Sequence, residues 1–94
     1  MTNILEWAEM KRPPLHHMKM WLASWRNTIS FVIALDEQAE EDSEWHGYIA
    51  SYRDMIENTK PVRIGQAYDS LEKAKQACFE IIDQQRQRGS WTHS

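Results

Sequence analysis

Residues 29–35 read ISFVIAL, a run rich in β-branched and aromatic side chains. Such side chains fit the pleated surface of a sheet, and alternation places Ile29, Phe31, Ile33 and Leu35 on one face. The run therefore predicts a strand with one buried face, on which a sheet can be built.

Two further strand patterns follow this run. Residues 45–52 read WHGYIASY, with Trp45 on one side of the alternation and Tyr48 and Tyr52 on the other. Residues 62–68 read VRIGQAY and come after a turn-forming segment, as in consecutive strands of a meander. Together the three runs predict an antiparallel sheet.

The segment before the first run, residues 15–25, fits two patterns. Read as a strand, it places Trp21 and Trp25 on one face, whereas the spacing of Met18, Trp21, Leu22 and Trp25 also suits a helix. We favour the strand, which gives a sheet over residues 15–68 with three or four strands.

Helices are predicted at both ends of the chain. Residues 69–72 read DSLE, in which Asp69 or Ser70 can cap a helix over residues 69–89, and the apolar positions that follow recur at spacings of three and four. Asn3 with Glu6 predicts a short helix over residues 4–11.

The fold class is therefore α+β: an antiparallel three- or four-stranded meander packed by one long C-terminal helix, with a short N-terminal helix. The predicted layout of one domain over residues 1–94 is an N-terminal helix and linker (1–14), the sheet (15–68), the helix (69–89) and a loose tail (90–94).

Composition limits the function. The chain has 94 residues, of which 41% are hydrophobic and 27% charged, which suits one globular domain with one core. Its formal net charge of −3 provides no positive field for a phosphate backbone, so nucleic acid is disfavoured as a partner. A single cysteine and the lack of a secretory pattern predict a cytoplasmic protein, and no apolar run reaches the roughly 20 residues of a membrane span.

Residues with catalytic or metal-binding chemistry do not form a known motif. The four histidines and Cys78 lack the spacing of zinc sites, and the three glycines are too dispersed to cradle a phosphate. Cys78 falls on the apolar stripe of the predicted helix, where burial makes a thiol inert. We therefore predict a protein that is not an enzyme, with no catalytic residue, no metal and no cofactor.

Aromatic residues suggest a partner surface. Alternation sends the rings to both faces of the sheet, and one helix can cover only one face. The other face would then be covered by the N-terminal helix, by a second subunit or by another protein, and we favour a homo-oligomer, specifically a homodimer. The predicted partner-binding rings are Trp21, Trp25, Trp45, Tyr48 and Tyr52.

An acidic segment lies between the first two strand runs. Residues 36–44 carry six carboxylates, and their hydration and mutual repulsion predict an exposed loop, here named the acidic loop. Its residues Glu40, Glu41 and Asp42 are candidates for binding a basic protein partner, and the alternative is that they only keep the loop soluble.

Three segments resemble the βββα core of HicB-type antitoxins: FVIALD at 31–36, WHGYIA at 45–50 and IGQAYDSLEKA at 64–74. In that family a strand has an acidic end, a second strand carries an aromatic residue, and a glycine shortly precedes a capped helix. The resemblance covers about residues 29–83. It implies a small regulatory, non-catalytic protein that dimerises through its sheet and binds a basic partner.

Two other functions remain open at this point. A small-ligand-binding or enzymatic domain would need a pocket formed by His46, Tyr48, Tyr52 and Arg63. A binder of single-stranded nucleic acid would need exposed rings beside arginines, for which the candidates are Arg26, Arg53 and Arg63.

Overall fold

Five antiparallel strands and one helix form the described part of the chain. The structure, a computed structural model, describes residues 5–12, 16–57 and 60–88, with side chains up to residue 84. The strands follow one another in the sheet in chain order, so the sheet is a meander. The α+β class is confirmed, but the sheet has five strands where three or four were predicted. The elements are β1 (Ala8–Glu9), β2 (Met18–Trp25), β3 (Ile29–Asp36), β4 (Tyr48–Asp54), β5 (Val62–Tyr68) and α1 (Leu71–Arg88).

The predicted first strand is the middle of the sheet. β3 pairs along its length with β2 and β4, so its backbone groups are satisfied on both sides. Phe31 and Ile33 are 0% exposed and Ile29 is 2% exposed, as the alternation predicts. Full burial of each such side chain contributes about 1.5–3 kcal/mol to folding, which makes β3 the central strand of the core.

The ambiguous segment is a strand, and a tight turn explains how it reaches β3. Trp25 pairs with Ile29, and Arg26 and Asn27 both have positive φ, at 53° and 58°. Thr28 closes the turn, since its backbone N–H donates to the Trp25 carbonyl at 3.0 Å. The positive φ values and this bond are features of a type I′ turn, which lies within the three-residue connection between Trp25 and Ile29.

The predicted N-terminal helix is wrong over the described residues 5–11, where β1 replaces it. β1 pairs with the edge of β2, and the Met10 N–H donates to the Met20 carbonyl at 2.7 Å. A helix of about eight residues is marginal alone, whereas an extended chain here satisfies the free edge of β2. It also buries Leu5 to 6% exposure. Residue 4 and the two prolines of the predicted linker lie outside the described residues.

Helix α1 packs on one face of the sheet, against β3, β4 and β5. Its buried stripe matches the predicted spacing, with Ala74, Cys78 and Ile82 at 0% exposure. Ser70 caps the helix, since its Oγ accepts a hydrogen bond from the Lys73 N–H at 3.2 Å. The predicted last residue of the helix, Gly89, and the tail 90–94 lie outside the described residues. No helix of the described chain is long and apolar enough to cross a membrane.

Candidate functional site

The strand aromatics all lie on the face that α1 packs against, so the prediction that they divide between the two faces is wrong. Trp21 pairs with Ile33 and Trp25 with Ile29, so both tryptophans share the face of the buried β3 residues. Tyr48 and Tyr52 reach the same face, because they pair with Leu35 and Phe31. Alternation divides the residues of one strand between its two faces. Only the register between strands shows which residues of neighbouring strands share a face of the sheet.

These rings are part of the core. Trp25 is 4% exposed, and Trp21, Tyr48 and Tyr52 pack against the buried cluster as partly buried residues. The ring centroids of Trp21 and Tyr48 are 5.8 Å apart, and those of Phe31 and Tyr52 are 6.4 Å apart. Both distances suit aromatic pairs in a protein interior. These four predicted partner-binding residues therefore have a structural role within one copy of the chain.

The opposite face of the sheet is apolar at its centre and has no helix or strand stacked on it in the described residues. The sequence analysis did not predict this face, although β2, β3 and β4 carry apolar residues at both phases of the alternation. We name it the open face, and its residues are Met18, Met20, Leu22, Ser24, Ser30, Val32, Ala34, Asp36, Ile49, Ser51, Arg53 and Arg63.

The apolar residues of the open face are partly exposed. They are Met18, Met20, Leu22, Val32, Ala34 and Ile49, and they are contiguous across three adjacent strands. A contiguous apolar patch of this kind is uncommon on the surface of a monomer and often marks a binding site. No described helix or strand packs on these side chains.

Trp45 is the one predicted ring outside the strands and the core. It lies in the connection between β3 and β4, and β4 begins at Tyr48, so the prediction that the strand starts at Trp45 is wrong. Its side chain is 52% exposed. The Arg63 guanidinium lies 5.2 Å from the ring centroid and also donates to the Glu44 carbonyl at 3.2 Å. Since Arg63 is on the open face, these contacts place Trp45 at its border.

The acidic loop is exposed, as predicted. Its turn begins at Asp36, whose Oδ1 accepts a hydrogen bond from the Gln38 N–H at 3.0 Å. Glu37 is within 3.6 Å of the Lys19 ammonium. The candidate residues Glu40, Glu41 and Asp42 follow and are all exposed.

A cleft of about 500 Å³ lies where the acidic loop meets the connection from β5 to α1. Its lining includes His46 and Tyr48 from the predicted pocket, together with Tyr68. It does not bring in Tyr52, which packs beside Phe31, or Arg63, which is on the open face. The predicted four-residue pocket is therefore only half assembled.

Several polar groups around the cleft have partners, whereas the buried Nδ1 of His17 has none among the described residues. His17 Nε2 lies 3.6 Å from Asp36 Oδ1, and Lys73 Nζ lies 3.0 Å from Asp69 Oδ1. His46 Nδ1 is 3.4 Å from the Ala39 carbonyl oxygen. In the described residues, no group of three or more His, Cys, Asp and Glu side chains is arranged to hold a metal ion.

Gly47 shapes the wall of the cleft. Its φ is 115°, and a Cβ at this position would lie 2.7 Å from the Tyr68 carbonyl oxygen. Only a residue without a side chain allows this approach of the two strands. The glycine therefore fixes the distance between the acidic loop and the end of β5.

The thiol of Cys78 is in the core, as predicted. Burial raises its pKa from 9.0 to about 12, because the charged thiolate is disfavoured away from water. At neutral pH the group is a neutral thiol with no access to solvent.

Neither the models of known protein families, nor the curated proteins, nor the solved structures match this chain. The three segments that resemble HicB-type antitoxins coincide with β3, with the start of β4 and the residues before it, and with β5 and the start of α1. The resemblance therefore rests on the order of these elements and on the quoted residues.

Proposed function

We propose that this protein is a non-enzymatic interaction module that self-associates through the open face of its sheet. The observation that carries the proposal is the apolar centre of a face on which no described element packs. A second copy of the chain would remove these side chains from water, and burial of apolar area yields about 25 cal/mol per Å².

The strands of the open face alone are smaller than a typical interface. Four strands spaced about 4.8 Å apart, each about seven residues long with a rise of about 3.3 Å, give a flat footprint of roughly 440 Å². A typical stable interface buries about 800 Å² on each partner. The proposed interface therefore extends beyond the strands to Trp45 and the acidic loop, which border the open face.

One substitution at the centre of the face tests this proposal. Val32 pairs with Leu22 and Ser51. Val32→Lys would place an ammonium in the interface and is expected to give a folded monomer. Gln76→Lys is the matched control, since it adds the same side chain at an exposed position of α1. Sedimentation velocity over a range of concentrations measures the mass, and thermal unfolding checks the fold. A wild type that stays monomeric at all concentrations would refute self-association.

The proposal includes a regulatory role for a protein of the reducing cytoplasm. Its support is the resemblance to HicB-type antitoxins, together with a single buried thiol that has no second cysteine to pair with. A basic protein partner is the alternative occupant of the acidic loop. Nucleic acid is disfavoured, because the acidic loop borders the open face and four of the five candidate rings are in the core.

Small-ligand binding is the second candidate function, and the cleft is the observation that favours it. Its volume of about 500 Å³ falls within the range of ligand sites. A thermal-shift screen of small molecules tests it, with His46→Ala as the variant expected to abolish any stabilisation. A ligand that stabilises the wild type and the variant equally would be bound elsewhere.

A further inference from the structure

The open face is divided into four rows by the strand register. Each row lies across the sheet, perpendicular to the strands, and successive rows are two residues apart. From the end with the acidic loop, the first row holds Met18 and Asp36, and the second holds Met20, Ala34 and Ile49. The third row holds Leu22, Val32, Ser51 and Arg63, and the fourth holds Ser24, Ser30 and Arg53.

Charge is segregated between the two ends of these rows, except that the guanidinium of Arg63 from the third row reaches the Glu44 carbonyl in the acidic loop. The first row carries the carboxylate of Asp36 and continues into the acidic loop. The last row carries Arg53, which is exposed, and the nearby turns carry Arg26 and Lys60. We name residues 26, 53 and 60 the basic end.

Carboxylates at the basic end do not cancel this segregation. Asp54 belongs to the adjoining turn, where its Oδ1 accepts hydrogen bonds from the backbone N–H groups of Ile56 and Glu57. Its pairing with Ile29 places it on the face of the core. The Glu57 side chain belongs to the same turn, beyond the end of β4, so Arg53 is the charged residue of the fourth row of the open face.

We infer that two copies stack through their open faces in an antiparallel arrangement, with the acidic end of each copy on the basic end of the other. This inference rests on the proposed self-association and specifies its geometry. A two-fold axis that lies between the second and third rows and runs across the strands exchanges the first row with the fourth. It also exchanges the second row with the third, so that in the two copies Met20 meets Leu22, Ala34 meets Val32 and Ile49 meets Ser51.

In the alternative stacking, a two-fold axis parallel to the strands relates the two copies. That axis would place the acidic loop of one copy beside the acidic loop of the other, and Arg53 beside Arg53. Like charges at an interface oppose association, whereas opposite charges favour it and select the partner. The charge pattern is thus self-complementary only in the antiparallel arrangement, which also identifies a second copy of this chain as the occupant.

Salt and charge neutralisation distinguish the two arrangements. In the antiparallel dimer, raising the ionic strength screens an attraction, so the dissociation constant increases with salt. Replacing Glu40, Glu41 and Asp42 with Ser is expected to weaken the dimer about tenfold at low salt. The parallel dimer would respond in the opposite direction to both changes. The control is Glu72→Gln with Glu80→Gln, which removes carboxylates from the exposed side of α1 and should leave the dissociation constant unchanged.

Spin labels measure the arrangement directly. Asp42→Cys accepts a nitroxide at the acidic end, and the buried thiol of Cys78 stays unlabelled. The eight residues of β3 span about 26 Å, so in the antiparallel dimer two labels at residue 42 are separated by more than about 26 Å. A mixture of chains labelled at Asp42→Cys or at Lys60→Cys should show a shorter distance between copies.

The possible results distinguish failure of the antiparallel arrangement from failure of self-association. A dimer with a short distance between its two residue-42 labels, and with tighter association in the Ser variant, would overturn the antiparallel arrangement and keep self-association. A monomer without dipolar coupling would overturn both. Val32→Lys in the labelled chain should abolish the coupling, and coupling that persists would place the interface elsewhere.

Discussion

Two tryptophans with opposite environments test the division between core and interface. Trp25 is 4% exposed and belongs to the buried cluster, whereas Trp45 is 52% exposed and contacts Arg63. We predict that Trp25→Ala mainly lowers the free energy of unfolding. Trp45→Ala is predicted to mainly weaken self-association.

The magnitudes follow from burial. Trp25→Ala removes a fully buried ring and leaves a cavity, at a cost of about 3–5 kcal/mol in the free energy of unfolding. For Trp45, roughly 100 Å² of the ring is covered, which corresponds to about 2.5 kcal/mol. Because the surface can close over the gap, a cost of about 2–3 kcal/mol is expected, including the cation–π contact. An interface tryptophan at a hot spot contributes at least about 2 kcal/mol to binding, which corresponds to about a 30-fold increase in the dissociation constant.

Both quantities can be measured on the same samples. Urea unfolding, at a concentration below the dissociation constant of the dimer, gives the free energy of unfolding without a contribution from association. Sedimentation velocity gives the dissociation constant of each variant. An unchanged dissociation constant for Trp45→Ala, together with an unfolding cost equal to that of Trp25→Ala, would refute this division.

Three further predictions concern the rest of the fold. Gly47→Ala should lower the free energy of unfolding by about 3 kcal/mol and Gly65→Ala by about 1 kcal/mol, measured by urea unfolding, because a Cβ at Gly47 meets the Tyr68 backbone whereas at Gly65 it meets the end of the Tyr68 side chain. Equal losses would contradict this difference. The raised pKa of Cys78 implies that stability from this group is fully present below pH 9.0 and is lost as the pH rises toward about 12. The loss is about 1.4 kcal/mol per pH unit, and Cys78→Ala should remove this component of the alkaline unfolding curve. Replacing acidic-loop residues 40–42 with Ser should keep cooperative thermal unfolding, because these side chains are exposed, and a broad transition would show a structural role.

The elements that were predicted correctly have a sequence pattern that can be recognised within their own residues. β3 has alternating bulky residues, and α1 has both a cap and an apolar stripe, so neither depends on distant parts of the chain. β1 has no such signal. Its two residues are extended because the edge of β2 lies beside them, and only the tertiary structure provides that edge.

The position of the open face can be assigned only when the pairing register between the strands is known. From the sequence, Trp21 and Tyr48 cannot be assigned to a common face, because a shift of one residue between strands reverses the assignment. With the pairing of Leu35 to Tyr48 and of Ile33 to Trp21, both rings join the core. The same register collects the aliphatic residues on the other side. The exposed apolar surface of the sheet is therefore aliphatic where an aromatic surface was predicted, with Trp45 at its border.

The edges of the sheet provide the last argument for association through a face. β1 is only two residues long, which leaves little backbone for another strand to pair with. At the other edge, the register between β4 and β5 shifts near Tyr48, and Gly65 has a φ of 64°. A bulge of this kind interrupts the row of free backbone groups that an incoming strand would need. The short β1 and the bulge near Tyr48 hinder strand addition, although β1 does not extend along Ala23–Trp25 of β2. We therefore propose stacking on the open face as the route by which a second copy buries apolar surface of this sheet.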